Sequence, residues 1–496
     1  MTSTVRMLAA MALAVLLASG VVMITIIGLP GTTAGAAERP NIVFVLTDDQ
    51  FAGTENAMPA LQSNLVNQGV EFTNMTSTFP LCCPGRATML RGQYAHNTEI
   101  YGNSLPAGGW EKFRREGLQR STIATWLDNA GYQTGLFGKY MNNYGGLGIP
   151  QGWDRWYGWN GPQEGWTALN DQGTQKPLTR QDADSGVSAT ALEFLGNRLD
   201  KPAPVFAYVN FGAEHYPYPY AESDGDRFKG VRVPRTPAFN EDNVSDKPTN
   251  VSDLPPLSDA EVAELDKAYR RGLRSLMRVD RFIGRASDLL RQKGEMDNTY
   301  FVFYTDNGAH FGQHRFGHGK LQPYQEDTNF PLIVRGPGFE KRGVKSGKLV
   351  GNHDIAPTLA RMGGANVPAF VDGRSFLRLA KDPTTAWPRT AILSERETDN
   401  VPPNKWSMLR MQNKVYTRYG NSTEKEYYDL MQDPYQVHNA FSTSETDPPQ
   451  YPPPDSNTQT YYEQRLNALY ACAGREGPGS CVAAENAPLS PTGVAP

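Results

Sequence analysis

At 496 residues, the chain is long enough for one large domain plus a smaller one, and its 48 basic and 52 acidic side chains leave a formal net charge of −4. Near-neutral charge without a basic stripe argues against nucleic acid as a partner. Forty-eight glycines and 37 prolines around ordinary hydrophobic content indicate a loop-rich globular protein.

After Arg6 the stretch MLAAMALAVLLASGVVMITIIGL carries no charge and runs into PGTTAGAAERP, where Ala34 and Ala36 fit a small-x-small cleavage site. Residues 1–36 therefore read as an export signal cut before Ala37. An uncleaved membrane anchor is the alternative, since the apolar run is long enough to span a bilayer. The mature chain is expected to be secreted or extracytoplasmic, with membrane contact only if the signal is retained.

The run PNIVFVLTDDQ predicts a buried strand from Asn41 to Leu46, with Asp48 and Asp49 just beyond its end. In FPLCCPGRATMLRGQYAHNT, Cys82 and Cys83 are adjacent, and neighbouring cysteines rarely bridge each other because of the required disulfide geometry. By residue type alone they are two small buried hydrophobes. STIATWLDNAGYQTGLFGKY predicts a helix capped by Ser121 and stopped by Gly131, then a strand delivering Lys139. APVFAYVNFGAEH predicts another strand and delivers His215. Residues 221–257 read as a long surface excursion and a candidate lid. A capping box from Ser258 to Glu261 opens the strongest helix, with Leu265, Tyr269, Leu276 and Ile283 near helical spacing. NTYFVFYTDNGAH predicts a strand that delivers Asp306 and Asn307. In the tail, YACAGREGPGSCV places Cys472 and Cys481 close enough for a local disulfide in an oxidising compartment.

Alternating helices and continuous apolar strands predict an α/β fold with a large, mostly parallel sheet covered on both faces. Ligands bind such sheets outside the carboxyl ends of the strands, and four strand ends here carry TDD, GK, GAEH and TDNG. One such end is ordinary turn chemistry; four together indicate a site. Three carboxylates and an amide oxygen form a hard oxygen cage suited to Ca²⁺ or Mg²⁺ rather than zinc. Lys139, Lys320 from GHGK, and Arg86 supply positive charge for a tetrahedral anion. Together they suit an ester of sulfate or phosphate.

At these residues the chain resembles the type I, formylglycine-dependent sulfatases of the alkaline phosphatase superfamily. CCPGR fits their C-x-P-x-R signature within LCCPGRATMLRGQYAHN, and FGKYMNNYG with IPQGWDRWYG is similar to the branch acting on N-acetylglucosamine 6-sulfates. TDNGAHFGQHRFGHGKLQPYQEDTNFPLIVRGPG, HDIAPTLARMGG and EKEYYDLMQDPYQVHNAF resemble later landmarks, the last marking a small C-terminal antiparallel-sheet subdomain. The resemblance implies an alkaline-phosphatase-like catalytic domain at 37–375, the sheet subdomain at 376–471 and a disulfide-looped tail at 472–496.

Carried over by position, the resemblance implies that a formylglycine-generating enzyme converts Cys82, while Cys83 fills the free position of the signature. Asp48, Asp49, Asp306, Asn307 and residue 82 would hold Ca²⁺, with Mg²⁺ as the other candidate. Arg86 would steady the hydrated aldehyde, Lys139 and Lys320 would clamp the sulfate, and His215 would sit near the departing oxygen. One hydroxyl of the aldehyde hydrate attacks sulfur in the implied mechanism, and the second then eliminates sulfate. The substrate class implied is an aryl sulfate or a sulfated sugar such as glucosamine 6-sulfate. Gly85 departs from the serine common before the motif arginine, and Met141 stands where many sulfatases have histidine, which the glucosamine branch also lacks. Asn142 and His310 are candidate substrate contacts.

Two further features have bland and functional readings. His310, His314 and His318 recur every four residues, yet HFGQHRFGHG is too rich in glycine for a helical zinc face. Trp153, Trp156, Trp159 and Trp166 suit either sugar stacking or packing beneath a loop. Two rival functions stay open beside the sulfatase one. The first is a phosphodiesterase or phosphonate monoester hydrolase of the same superfamily, against which Asp306 paired with Asn307 rather than histidine weighs. The second is an exported glycan-binding protein whose cysteine stays unconverted.

Overall fold

The computed structural model describes residues 39–161, 168–397, 405–420 and 422–490. The export signal or anchor expected at 1–36 and Trp166 lie outside them. Strand β1 (Asn41–Thr47) is buried along its whole length and alternates between two cores, as a period of two requires. Ile42, Phe44 and Leu46 enter one core, while Val43 and Val45 enter the other.

Helix α1 (Cys82–Arg91), helix α2 (Ile123–Asn129), strand β2 (Gln133–Gly138) and strand β3 (Arg155–Asn160) follow. Then come helix α3 (Arg180–Arg198), strand β4 (Val205–Asn210), helix α4 (Asp259–Gln292), strand β5 (Thr299–Thr305), strand β6 (Leu332–Arg335) and helix α5 (Ile355–Met362). Within a ten-stranded sheet these strands lie in the order β6-β5-β1-β4-β2-β3. The run from β5 to β3 is parallel throughout, and antiparallel pairing begins at β6 on one side and beyond β3 on the other. Apolar faces of α1, α2 and α5 fill one core, and those of α3 and α4 fill the other. Both sheet faces are thereby covered, and the ends of β5, β1, β4 and β2 become neighbours at one edge.

A second sheet is built from β7 (Ala391–Glu397), β8 (Lys405–Met411), β9 (Lys414–Tyr419) and β10 (Lys425–Asp429), antiparallel in that order. Tyr462, Leu466 and Leu469 of α6 (Ser456–Tyr470) share its core. Cys472 is disulfide-bonded to Cys481, the first residue of α7 (Cys481–Asn486). Among the described residues, no helix is long and apolar enough to cross a membrane.

The structure corrects three local expectations. Helix α2 is capped by Thr122, not Ser121, through a box closed by Thr125. Trp153, Trp156 and Trp159 pack in the interior around β3, so the loop-like stretch GWDRWYGWN contains an inner strand. The segment 221–257 is a surface excursion only in part: Arg227, Lys229 and Arg232 are exposed, but the segment is pinned inside at one point. Its Lys247 is fully buried between Glu241 at 3.1 Å and Asp246 at 3.0 Å, and it donates to Val437 O at 2.8 Å in the C-terminal region. These charges read as solvated in sequence because their partners are one another.

Candidate active site

Helix α1 begins at Cys82, after an extended Leu81. Pro84 falls in the first turn, where a missing N–H costs nothing and the fixed φ suits the helix. Gly85 follows, and a Cβ there would meet Asp306 O at 2.9 Å. The glycine lets α1 dock against the end of β5. At the end of β2, a Cβ on Gly138 would fall 1.8 Å from Asn210 O, so only glycine allows the close strand approach that precedes Lys139.

These approaches bring Cys82, fully buried, to the carboxyl ends of the parallel strands. Its Sγ lies 3.6 Å from Asp48 Oδ1 and 3.8 Å from Asp49 Oδ1, and it accepts from Lys320 Nζ at 2.8 Å. Lys139 Nζ donates to Asp48 Oδ2 at 2.5 Å, and Lys320 Nζ also donates to Asp49 Oδ1. Arg86, with no exposed surface, donates through Nε to Asp306 Oδ2 at 2.8 Å and through Nη1 to Lys139 O at 3.0 Å. His215 Nε2 stands 3.5 Å from Asp49 Oδ2, and its Nδ1 is 2.6 Å from Tyr216 O. Asp49 has φ 55°, a left-handed conformation that aspartate tolerates better than most residues.

Burial alone would raise Asp48 and Asp49, but the neighbouring lysines and His215 outweigh it and hold both carboxyls below their usual range. Burial would likewise lower Lys320 and Lys139, but Asp49 and Asp48, respectively, reverse it and raise both. At Cys82 burial wins over the lysines, and the thiol is pushed up to about 12. An unmodified Cys82 is thus a neutral thiol at pH 7 and a poor nucleophile.

The donor set fits a hard divalent cation. Asp48, Cys82 and Asp306 offer ligand atoms within 4.8 Å of one another, as do Asp48, Asp49 and His215. Asn307 is fully buried; its Nδ2 donates to Asp49 Oδ1 at 2.7 Å and its Oδ1 has no partner. A buried amide oxygen without a donor beside three carboxylates is a coordination position in chemical character.

The other candidates fall differently. Asn142 is buried with neither amide atom partnered among the described residues. His310 Nδ1 faces Asp327 Oδ1 at 2.8 Å, and His310 pairs with Gly319, the residue before Lys320. His314 binds Glu241 at 2.7 Å and His318 lies against Tyr218, so the three histidines face three different partners. Sequence reading missed Asn210, whose Oδ1 accepts from Arg86 Nη1. The signal was present, since Asn210 is the polar residue closing the apolar run VFAYVN. It also missed Asn352, whose Oδ1 accepts from Thr78 N at 3.1 Å in the segment leading to Cys82.

Residues 40–365 match the family model described as Sulfatase, and residues 312–450 match the one described as N-sulphoglucosamine sulphohydrolase, C-terminal. The chain is 32% identical over 378 residues to the extracellular sulfatase SULF-1 homolog of Drosophila melanogaster, covering 73% of this chain but only 34% of that protein. It therefore spans about a third of the fly protein's length. To the N-acetylglucosamine-6-sulfatase of Capra hircus it is 30% identical over 387 residues, 74% of this chain and 68% of that one. A protein solved in complex with its substrate D-glucosamine-2-N,6-O-disulfate shares the fold, with TM-score 0.71 and 23% identity over 86% of this chain and 97% of that one.

Proposed function

We propose that this chain, which belongs to the type I sulfatase family of the alkaline phosphatase superfamily, is an exported sulfuric ester hydrolase acting on sulfated sugars. In this reading residue 82 is formylglycine made from cysteine by a formylglycine-generating enzyme. Asp48, Asp49, Asp306 and Asn307, with residue 82, hold Ca²⁺, or Mg²⁺ as the second choice. The observation that carries the reading is Cys82 Sγ, set between two buried carboxylates and 2.8 Å from Lys320 Nζ. That sulfur stands in for the hydroxyl oxygens of a hydrated aldehyde.

When present, the hydrated aldehyde and the cation supply an activated hydroxyl for attack on sulfur. The chain's own residues do the rest. Three buried carboxylates face three buried cationic side chains, Arg86, Lys139 and Lys320. A divalent cation among the carboxylates leaves a positive surplus, and the two lysines then serve the sulfate oxygens. This is charge placed in advance where the anion must lie. Arg86, anchored to Asp306, Asn210 and the Lys139 carbonyl, fixes the α1 terminus against the strand ends. His215, more exposed than the rest of the cluster, is placed to deliver a proton from Nε2 to the departing alcohol oxygen. Asn142, with its unpartnered amide, is the polar contact we assign to the substrate.

The names of the relatives support the sugar class and export: one is an N-acetylglucosamine-6-sulfatase, and another is extracellular. We place the catalytic domain at 37–375, the sheet subdomain at 376–471 and the tail at 472–496. Mass spectrometry of the peptide ending at Arg86, from active protein, tests the reading. It is expected to show the aldehyde at residue 82 with Cys83 intact; an unconverted Cys82 in active enzyme would overturn it.

A further inference from the structure

Beside the reacting centre lies a cavity of about 500 Å³, within the roughly 300–1,000 Å³ of small-molecule sites. It shares a wall with the site. Tyr216 lines it and directly follows His215, and His318 lines it two residues before Lys320.

We propose that this cavity receives the sugar ring next to the sulfated residue, a neutral hexose or N-acetylhexosamine, stacked on Tyr216. The inference rests on the sulfatase reading and narrows its substrate to oligosaccharides. Tyr216 is 61% exposed, so its ring is open to a ligand in the cavity it lines. Its ring is held edge-to-face against buried Tyr218 at 5.8 Å, and the Tyr218 hydroxyl lies 3.1 Å from His318 Nε2. The aromatic wall is therefore fixed before anything binds. A pyranose offers an apolar C–H face to such a ring and hydroxyls to a polar rim.

The rim is the start of α4, which contributes Glu261, Glu264, Lys267 and Arg271. Two acids and two bases give no surplus charge. Each is already engaged: Glu261 with Ser258 N at 2.8 Å, Glu264 with Lys267 at 3.1 Å, and Arg271 with Pro217 O at 2.8 Å. With two acids against two bases this rim carries no net positive charge to draw a uronate or a second sulfate, whereas sugar hydroxyls find both donors and acceptors. The rim thus differs in kind from the sulfate end of the site, where lysines and arginine converge.

The test compares Tyr216→Ala and Leu257→Trp, which narrows the cavity that Leu257 also lines, with wild type on 4-methylumbelliferyl sulfate and on two disaccharides. Both disaccharides carry glucosamine 6-sulfate, linked to galactose in one and to glucuronate in the other. The ratio of kcat/KM for the galactose disaccharide to that for the aryl sulfate is expected to fall about tenfold in each variant. Wild type should prefer the galactose disaccharide to the glucuronate one. A ratio unmoved in both variants, or preference for glucuronate, overturns the proposal. Binding of the galactose disaccharide to Cys82→Ala protein, with and without Tyr216→Ala, decides the matter if turnover is absent. In that case it is the sulfatase reading that has failed, and equal affinities would remove the subsite as well.

Discussion

Two largely buried charge clusters in this molecule are built to opposite ends. In the C-terminal one, Arg389 donates to Glu485 Oε2 at 2.9 Å and to Asp354 Oδ1 at 2.8 Å. Arg374 reaches Glu485 Oε2 at 2.6 Å, while Tyr94 and His353 meet Glu485 Oε1 at 2.6 and 2.7 Å. Gly351 N and Arg374 N complete Asp354 at 2.9 and 2.8 Å. Every carboxylate oxygen there has two partners. Around Cys82, Asn307 Oδ1, both amide atoms of Asn142 and Arg86 Nη2 lack a hydrogen bond among the described residues. In the C-terminal cluster the carboxylates are saturated and the atoms left over are the donor Arg374 Nε and His353 Nδ1, whereas around Cys82 an acceptor oxygen, Asn307 Oδ1, stays open among the described residues.

The largest effect expected from this contrast is on turnover. Cys82→Ala should lose aryl sulfate hydrolysis to background, on the order of 10⁶-fold, while Cys83→Ala keeps it. The reverse pattern would move the site. Arg389→Ala should act on stability instead, by about 3–5 kcal/mol, because it leaves two carboxylates buried without their main cation. Urea denaturation reads this, and KM for the folded fraction should not change. If Arg389→Ala altered KM while leaving stability intact, the two clusters would not be separable.

Added Ca²⁺ should stabilise wild type and Arg389→Ala alike, by about 2.7 kcal/mol at a hundredfold excess over Kd, and so raise the melting temperature of both. Asp306→Asn should show no such shift in a thermal melt, and an equal shift would place the ion elsewhere. Tyr94→Phe should cost least, about 1.5 kcal/mol, since Glu485 Oε1 still accepts from His353. The C-terminal cluster also predicts a pH dependence. Burial would raise Asp354 and Glu485, but Arg389 outweighs it and holds both below their ordinary 3.8 and 4.5. A lowered carboxyl contributes stability above its ordinary value and loses it as pH falls towards the folded one. The stability gap between wild type and Glu485→Gln should therefore stay level down to about pH 5 and narrow below it; a gap that widens in acid would contradict the assignment.

Much of the active site was legible in the sequence because each strand that feeds it is a short apolar run closed by polar residues. That local pattern located Asp48, Asp49, Lys139, His215, Asp306 and Asn307, which the structure brings to one edge of the sheet. The C-terminal cluster left no such mark. Glu485 sits in a stretch of small and polar residues, and its partners Arg389 and Tyr94 are 96 and 391 residues away. Lys247 misled for the same reason, since a buried ion triplet and a solvated loop have the same composition. Ser121 and Thr122 are both competent caps, and only the hydrogen bond to Thr125 chooses between them.

The burial of α1's first turn also fixes an order of events in time. Cys82, Cys83, Pro84 and Arg86 are all buried in the folded protein, so under the proposed reading an enzyme that oxidises the thiol would have to reach it before this segment folds. The segment docks beside Asn352–Asp354, and Glu485, the saturating partner of that region's charges, is synthesised roughly 400 residues after Cys82. At about 5–20 residues per second, that interval is on the order of 20–80 s. Over that interval the cysteine has been made while the carboxylate that completes the neighbouring cluster has not.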